Sequence, residues 1–176
     1  TLGPTTDPAV NTLVLEAMSG NALQAVCDFI YEGECRVADA DELLDTLEAA
    51  MYLQVAQLCE AAAEILHTDG HLQMSNALRS WEIAERASMP ALGEAARKMA
   101  CDQFEQVAAG DGWPSVPVEQ VRALLSDDRL NVKSETLAYE AAVHWLRAQS
   151  PPLGAAEVAA LLGHVRFPQL PHGFIR

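Results

Sequence analysis

Asp28-Phe29-Ile30-Tyr31-Glu32-Gly33-Glu34 is the stretch that decides the fold. Leading into it, Leu23, Val26, Cys27 and Ile30 are spaced by three, one and three residues, which puts them on one side of an α-helix. Gly33 follows, and glycine is the residue that takes the left-handed backbone of a helix end at least cost. The stretch therefore predicts an amphipathic helix with an aromatic residue in its last turn. Ser19 or Asn21 caps its start, because either side chain accepts a backbone N–H from the first turn. Beyond the glycine, Cys35-Arg36-Val37 reads as a short strand. It has a β-prone counterpart upstream at Thr12-Leu13-Val14-Leu15. Thr1 to Asn11 carry prolines, threonines and a glycine without period, a loop or frayed start.

Working outward, the rest of the chain reads as helix. Asp39 or Asp41 caps a helix whose inward residues are Leu43, Leu44, Leu47, Ala50 and Met51. Leu53 to Leu66 predicts another, with Val55, Leu58, Cys59, Ala62, Ile65 and Leu66 on its apolar side. Asp69-Gly70 is a break. Leu72 to Arg79 and Trp81 to Ser88 form a helix pair or one kinked helix. Pro90 suits the first position of a helix, where its missing N–H costs nothing. That helix faces inward with Leu92, Ala95, Ala96, Met99 and Phe104. Asp111-Gly112-Trp113-Pro114 is a turn, and Val118 to Leu125 a short helix closed by Ser126-Asp127-Asp128. In Leu130-Asn131-Val132-Lys133-Ser134-Glu135, Ser134 is placed to cap a strong helix, stopped by Pro151-Pro152. Glu157 to Leu162 is a last helix, and Phe167-Pro168-Gln169-Leu170-Pro171 is extended. The fold class is mainly α: helical hairpins joined by short turns, with a small strand element in front.

Composition bounds the function. The 176 residues are 50% hydrophobic and 20% charged, enough to bury a core. The 25 acidic and 11 basic residues leave a net charge of -14. Nucleic acid and anionic membrane surfaces need basic patches, so neither is expected as a partner. The charge suits a basic partner surface or simply a solvated acidic one. Cys27, Cys35, Cys59 and Cys101 form no Cys-x-x-Cys pair, and three of them sit among apolar residues at helical spacing. They read as reduced, mostly buried thiols of an intracellular protein. No secretory leader is evident, and no apolar run reaches the ~18 residues of a membrane span.

Catalytic and metal patterns are sparse. His67 and His71 are four apart, but Asp69-Gly70 between them breaks the helix that would align them, so a zinc site with Cys59 or Glu64 is the lesser reading. Asp39, Asp41 and Asp45 alternate as in a calcium loop, without its turn glycine or closing glutamate, and capping explains them better. No phosphate-cradling glycine loop is present. Trp81, Trp113 and Trp145 read as packing anchors. No catalytic residue, metal or cofactor is expected.

These residues together resemble a known family. Val14-Leu15-Glu16-Ala17-Met18 with Leu23 through Glu34 resembles the second half of a BTB (POZ) domain, with Glu32 where that family usually has threonine. Leu43-Leu44 and Met51-Tyr52-Leu53-Gln54 are similar to the closing helices of the domain. Ala95-Ala96-Arg97-Lys98, then Leu124 through Glu135, then Tyr139, Ala142 and Trp145, then His164-Val165-Arg166-Phe167-Pro168, resemble the BACK domain of Kelch-like proteins. The resemblance implies a partial BTB domain over residues 1–68 and an all-α BACK domain over 69–176. The front of a BTB domain, with its first strands and dimer-forming helix, has no counterpart here, so the chain reads as a fragment or a divergent member. The apolar-x-Glu motif expected shortly before Val14 is absent, since Thr1 to Asn11 hold no glutamate.

The resemblance implies a non-enzymatic adaptor of a cullin-3 RING ubiquitin ligase, cytoplasmic or nuclear. Kelch-like proteins hold cullin-3 through BTB and the first BACK helices, the substrate protein through a Kelch propeller, and a second copy through the BTB front. Tyr31 is the residue expected to face cullin-3, joined by Leu23 or Val26 on the same helix; the alternative for Leu23 and Val26 is core packing. The runner-up is a BTB-type scaffold in transcriptional or cytoskeletal regulation that never engages cullin-3. An exposed apolar edge is expected where the BTB front would pack.

Overall fold

The structure, a computed structural model, describes residues 18–68 and 70–166. Among the described residues nine α-helices follow one another: α1 (Gly20–Glu32), α2 (Ala40–Tyr52), α3 (Ala56–Thr68), α4 (Ala77–Arg86), α5 (Pro90–Asp102), α6 (Phe104–Ala109), α7 (Val118–Leu125), α8 (Glu135–Ala148) and α9 (Ala155–Leu162). A 3₁₀ turn at Trp113–Ser115 lies between α6 and α7. The fold is mainly α, as expected. The chain divides into two compact units, Thr1–Ala62 and Ala63–Arg176, the division falling inside α3. The strand expected at Thr12 to Leu15, Asp69 of the break and the extended tail from Phe167 lie outside the described residues.

In the first unit α1 packs on α2. Of the two candidate caps of α1, Ser19 does the work: its Oγ accepts the Ala22 N–H at 3.2 Å. Gly33 ends the helix in the left-handed region at φ 77° and donates its N–H to the Phe29 carbonyl at 2.8 Å. Asp39 caps α2 by accepting the Glu42 N–H at 2.9 Å, while the Glu42 carboxylate reaches back to the Ala38 N–H, a reciprocal arrangement close to a capping box. Ala22, Val26, Ala49, Ala50 and Leu58 form the buried cluster, with Phe29, Leu53 and Cys59 packed against it.

Two expectations change here. No strand is present among the described residues, and Cys35 to Val37 are irregular. The helix expected from Leu53 begins at Ala56 instead. The reason is a helix stop at Gln54, where φ is 59°. The Val55 N–H bonds the Ala50 carbonyl at 2.9 Å and the Gln54 N–H bonds the Met51 carbonyl at 3.2 Å. That pair of bonds is a Schellman motif, with glutamine in the place glycine prefers.

In the second unit α4 and α5 pack against each other most extensively. Residues expected as two helices or one kinked helix give the single α4. The turn before it is stapled by buried Asn76, whose Oδ1 accepts the Gln73 N–H at 2.9 Å and whose Nδ2 donates to the His71 carbonyl at 2.8 Å. Pro90 opens α5 as expected. Gly93 of α5 faces Ala84 and Trp81 of α4, and a Cβ placed on it would meet the Ala84 Cβ at 3.5 Å, an ordinary contact. The core gathers Phe104, Trp113, Val121, Leu124, Trp145 and Leu161. Phe104 and Trp113 meet edge-to-face with centroids 5.6 Å apart. Trp113 Nε1 donates to the Ala141 carbonyl at 2.9 Å and Trp145 Nε1 to the Val116 carbonyl at 2.8 Å. Both indoles are thus buried with their one polar atom satisfied. The three tryptophans are anchors of packing, as their sequence positions suggested. Ser134 does stand at the start of α8, but its side chain accepts no first-turn N–H.

Candidate functional site

Helix α1 presents an exposed end with two large side chains, Ile30 and Tyr31. Its core-facing residues are Ala22, Ala25 and Val26. Val26, at 1% exposure, packs with Ala49, Ala50 and Leu58. Leu23 lies half-buried at the edge of that face. Two turns on, Ile30 is 60% and Tyr31 88% exposed. At about 100° per residue, Leu23 and Ile30 fall nearly in line, with Cys27 between and Tyr31 flanking. Of the three residues expected at the interface, the structure leaves Tyr31 exposed, Leu23 half-buried and Val26 buried. Ile30, taken from its spacing as an inward residue, is 60% exposed, while Phe29 beside it packs against the buried cluster. Its position next to Tyr31 in the last turn was the available signal. Tyr52, also well exposed at the end of α2, carried no such signal.

Polar groups frame this end of α1. Gln24 Nε2 donates to Asp28 Oδ1 at 2.6 Å along the neighbouring side. Past the helix, Arg36 bonds Glu34 at 2.7 Å and pairs with Glu32 at 3.3 Å. The Glu34 hydrogen bond, then the nearby carboxylates, hold the guanidinium firmly charged. The aromatic tip is thus flanked by Asp28, Glu32 and Glu34 against one arginine. Exposed ion pairs of this kind are worth ~0–1 kcal/mol, so they set the local charge more than the stability.

The stretch from Leu124 through Glu135 is tied into the second unit by buried and surface polar contacts. Asp127 is buried and accepts from the Arg129 N–H and Nε at 3.0 Å and from its NH2 at 2.9 Å. Arg97 of α5 reaches the same carboxylate at 2.8 Å. The Arg129 hydrogen bonds, with Arg97 adding charge, hold the Asp127 carboxyl far below the usual carboxylate range. Arg129 also bonds Glu94 of α5 at 2.5 Å. The following residues continue the strap: the Asn131 N–H bonds the Cys101 carbonyl at 3.1 Å, and Lys133 Nζ pairs with Glu105 at 2.7 Å. Cys101 lies fully buried beneath, and desolvation, then Asp127, push its thiol up to about 12. Burial also raises Cys35 and Cys59, both half-buried.

The remaining candidates stay apart. His67 is exposed in the last turn of α3 and His71 half-buried beyond it. No group of three or more metal-ligating side chains occurs among the described residues. Asp39 is occupied as a cap. Among the described residues no helix is long and apolar enough to cross a membrane. A shallow apolar groove of about 290 Å³ runs between the end of α3 and the start of α5, lined by Ala63, His67, Met89, Pro90 and Leu92.

Two helical units, each built on an alanine- and leucine-rich core, the first displaying Tyr31 and Tyr52, define a helical scaffold. The chain belongs to the BTB–BACK family. Residues 2–70 match the BTB/POZ domain and residues 77–176 match BACK, the BTB And C-terminal Kelch domain. It is 33% identical over 149 residues to Kelch-like protein 35 of Mus musculus, covering 85% of this chain and 25% of that protein. Identity to Kelch-like protein 26 of Mus musculus is 30% over 154 residues, 88% of this chain and 25% of the relative. Kelch-like protein 3 of Homo sapiens is 26% identical over 173 residues, covering 98% and 29%. The chain thus spans about a quarter of the length of the curated relatives it matches.

Proposed function

We propose that this chain is the BTB–BACK part of a substrate-recognition adaptor for a cullin-3 RING ubiquitin ligase, a protein-holding module without catalysis of its own. The single observation that carries the reading is the Ile30–Tyr31 end of α1, an aliphatic and an aromatic side chain held in the open by a capped helix. Aromatic residues on a rigid element are the preferred anchors of protein interfaces. Tyr31 supplies the central contact, Leu23 the apolar margin, and Val26 holds the helix from inside. The groove at the end of α3 and start of α5 is a further apolar feature in keeping with a partner that uses the first BACK helices. We place the BTB part at residues 1–68 and BACK at 69–176. A substrate protein held through a Kelch propeller and a second copy held through the BTB front complete the proposal, in the cytoplasm or nucleus. The runner-up is a cullin-independent scaffold in transcriptional or cytoskeletal regulation.

The test is calorimetry of this chain with the N-terminal region of cullin-3. Measurable binding that Tyr31→Ala weakens at least tenfold, about 1.4 kcal/mol, is the expected result. Binding that Tyr31→Ala leaves untouched removes the site assignment. No binding by a folded chain favours the cullin-independent scaffold.

A further inference from the structure

We draw no further inference here: the strongest candidate, the open groove between α4 and α5 lined by Trp81, Met89 and Arg97, carries nothing because its charged groups already bond within the chain and nothing in the structure shows what covers it.

Discussion

Asp127 is buried in the second unit and paired with both Arg97 and Arg129. Removing it takes away the carboxylate that Arg97, itself two-thirds buried, pairs with at 2.8 Å. Asp127→Ala is expected to destabilise the chain by about 3 kcal/mol, the low end for breaking a buried pair from one side, because both arginines keep part of their surface in water. Urea denaturation measures it. The pH dependence follows in sign. The folded carboxyl titrates below its unfolded value of about 3.9, so its contribution is complete above that value and is lost as pH falls through the folded one. The stability gap between the native chain and Asp127→Asn is expected to hold from neutral pH down to about pH 5 and to shrink below about pH 4. Thermal melts across that range would contradict the assignment if the gap stayed constant. Cys101 lies against the same carboxylate, fully buried with its thiol proton strongly held. Iodoacetamide mapped by mass spectrometry should modify Cys101 only after unfolding and the half-buried Cys27, Cys35 and Cys59 sooner, because the thiolate is the reacting form and access is needed. Much of this residue chemistry was hidden in the sequence. Asp127 read as a helix stop, since nothing local shows that Arg97, thirty residues earlier, would reach it.

At the scale of elements, helix ends decide the architecture. Gly33 ends α1 in the conformation glycine adopts freely. Ser88 and Gln54 hold the same conformation at the ends of α4 and α2, at φ 55° and 59°. After α4 the Met89 N–H bonds the Ala84 carbonyl at 2.8 Å and the Ser88 N–H bonds the Glu85 carbonyl at 3.2 Å, the same closing pattern as at Gln54. A side chain in this backbone region costs ~1–2 kcal/mol, partly offset because glycine loses more entropy on folding. Ser88→Gly is therefore expected to stabilise by about 0.5–1 kcal/mol, raising the melting temperature in scanning calorimetry; a drop would show that the serine side chain makes a contact of its own. Helix identities were legible from apolar spacing, and α7 falls on the expected residues. The boundary of α3 was not, because Gln54 gives no glycine-like signal and the stop comes from the backbone path around it. The expected capping role of Ser134 also failed. The segment before α8 is tied to α5 and α6 through Asn131 and Lys133, and the strap leaves the serine hydroxyl without a first-turn N–H.

At the scale of the whole molecule, 25 acidic residues against 11 basic ones leave -14 charges on 176 residues. Like charges repel most in the compact state, and salt screens them over about 10 Å at 0.1 M. Raising sodium chloride from about 10 to 300 mM, a span over which that screening length shortens several-fold, is expected to raise the melting temperature by a few degrees. A fall would mean that exposed ion pairs such as Lys133–Glu105 outweigh the repulsion. The sequence by itself determined the helical class, the order of the helices, the pairs of residues from which the caps of α1 and α2 came, and the tryptophan anchors. Each of these follows from residues within a few positions of one another, through helical periodicity and the local bonding of caps. Tertiary structure alone decided which side of α1 stays open, that Val26 lies beneath it while Ile30 and Tyr31 stand clear, and that Asp127 pairs with Arg97. Those outcomes depend on where one helix stops covering another and on which distant side chains share a buried space, and neither is set by the spacing of residues along a single helix.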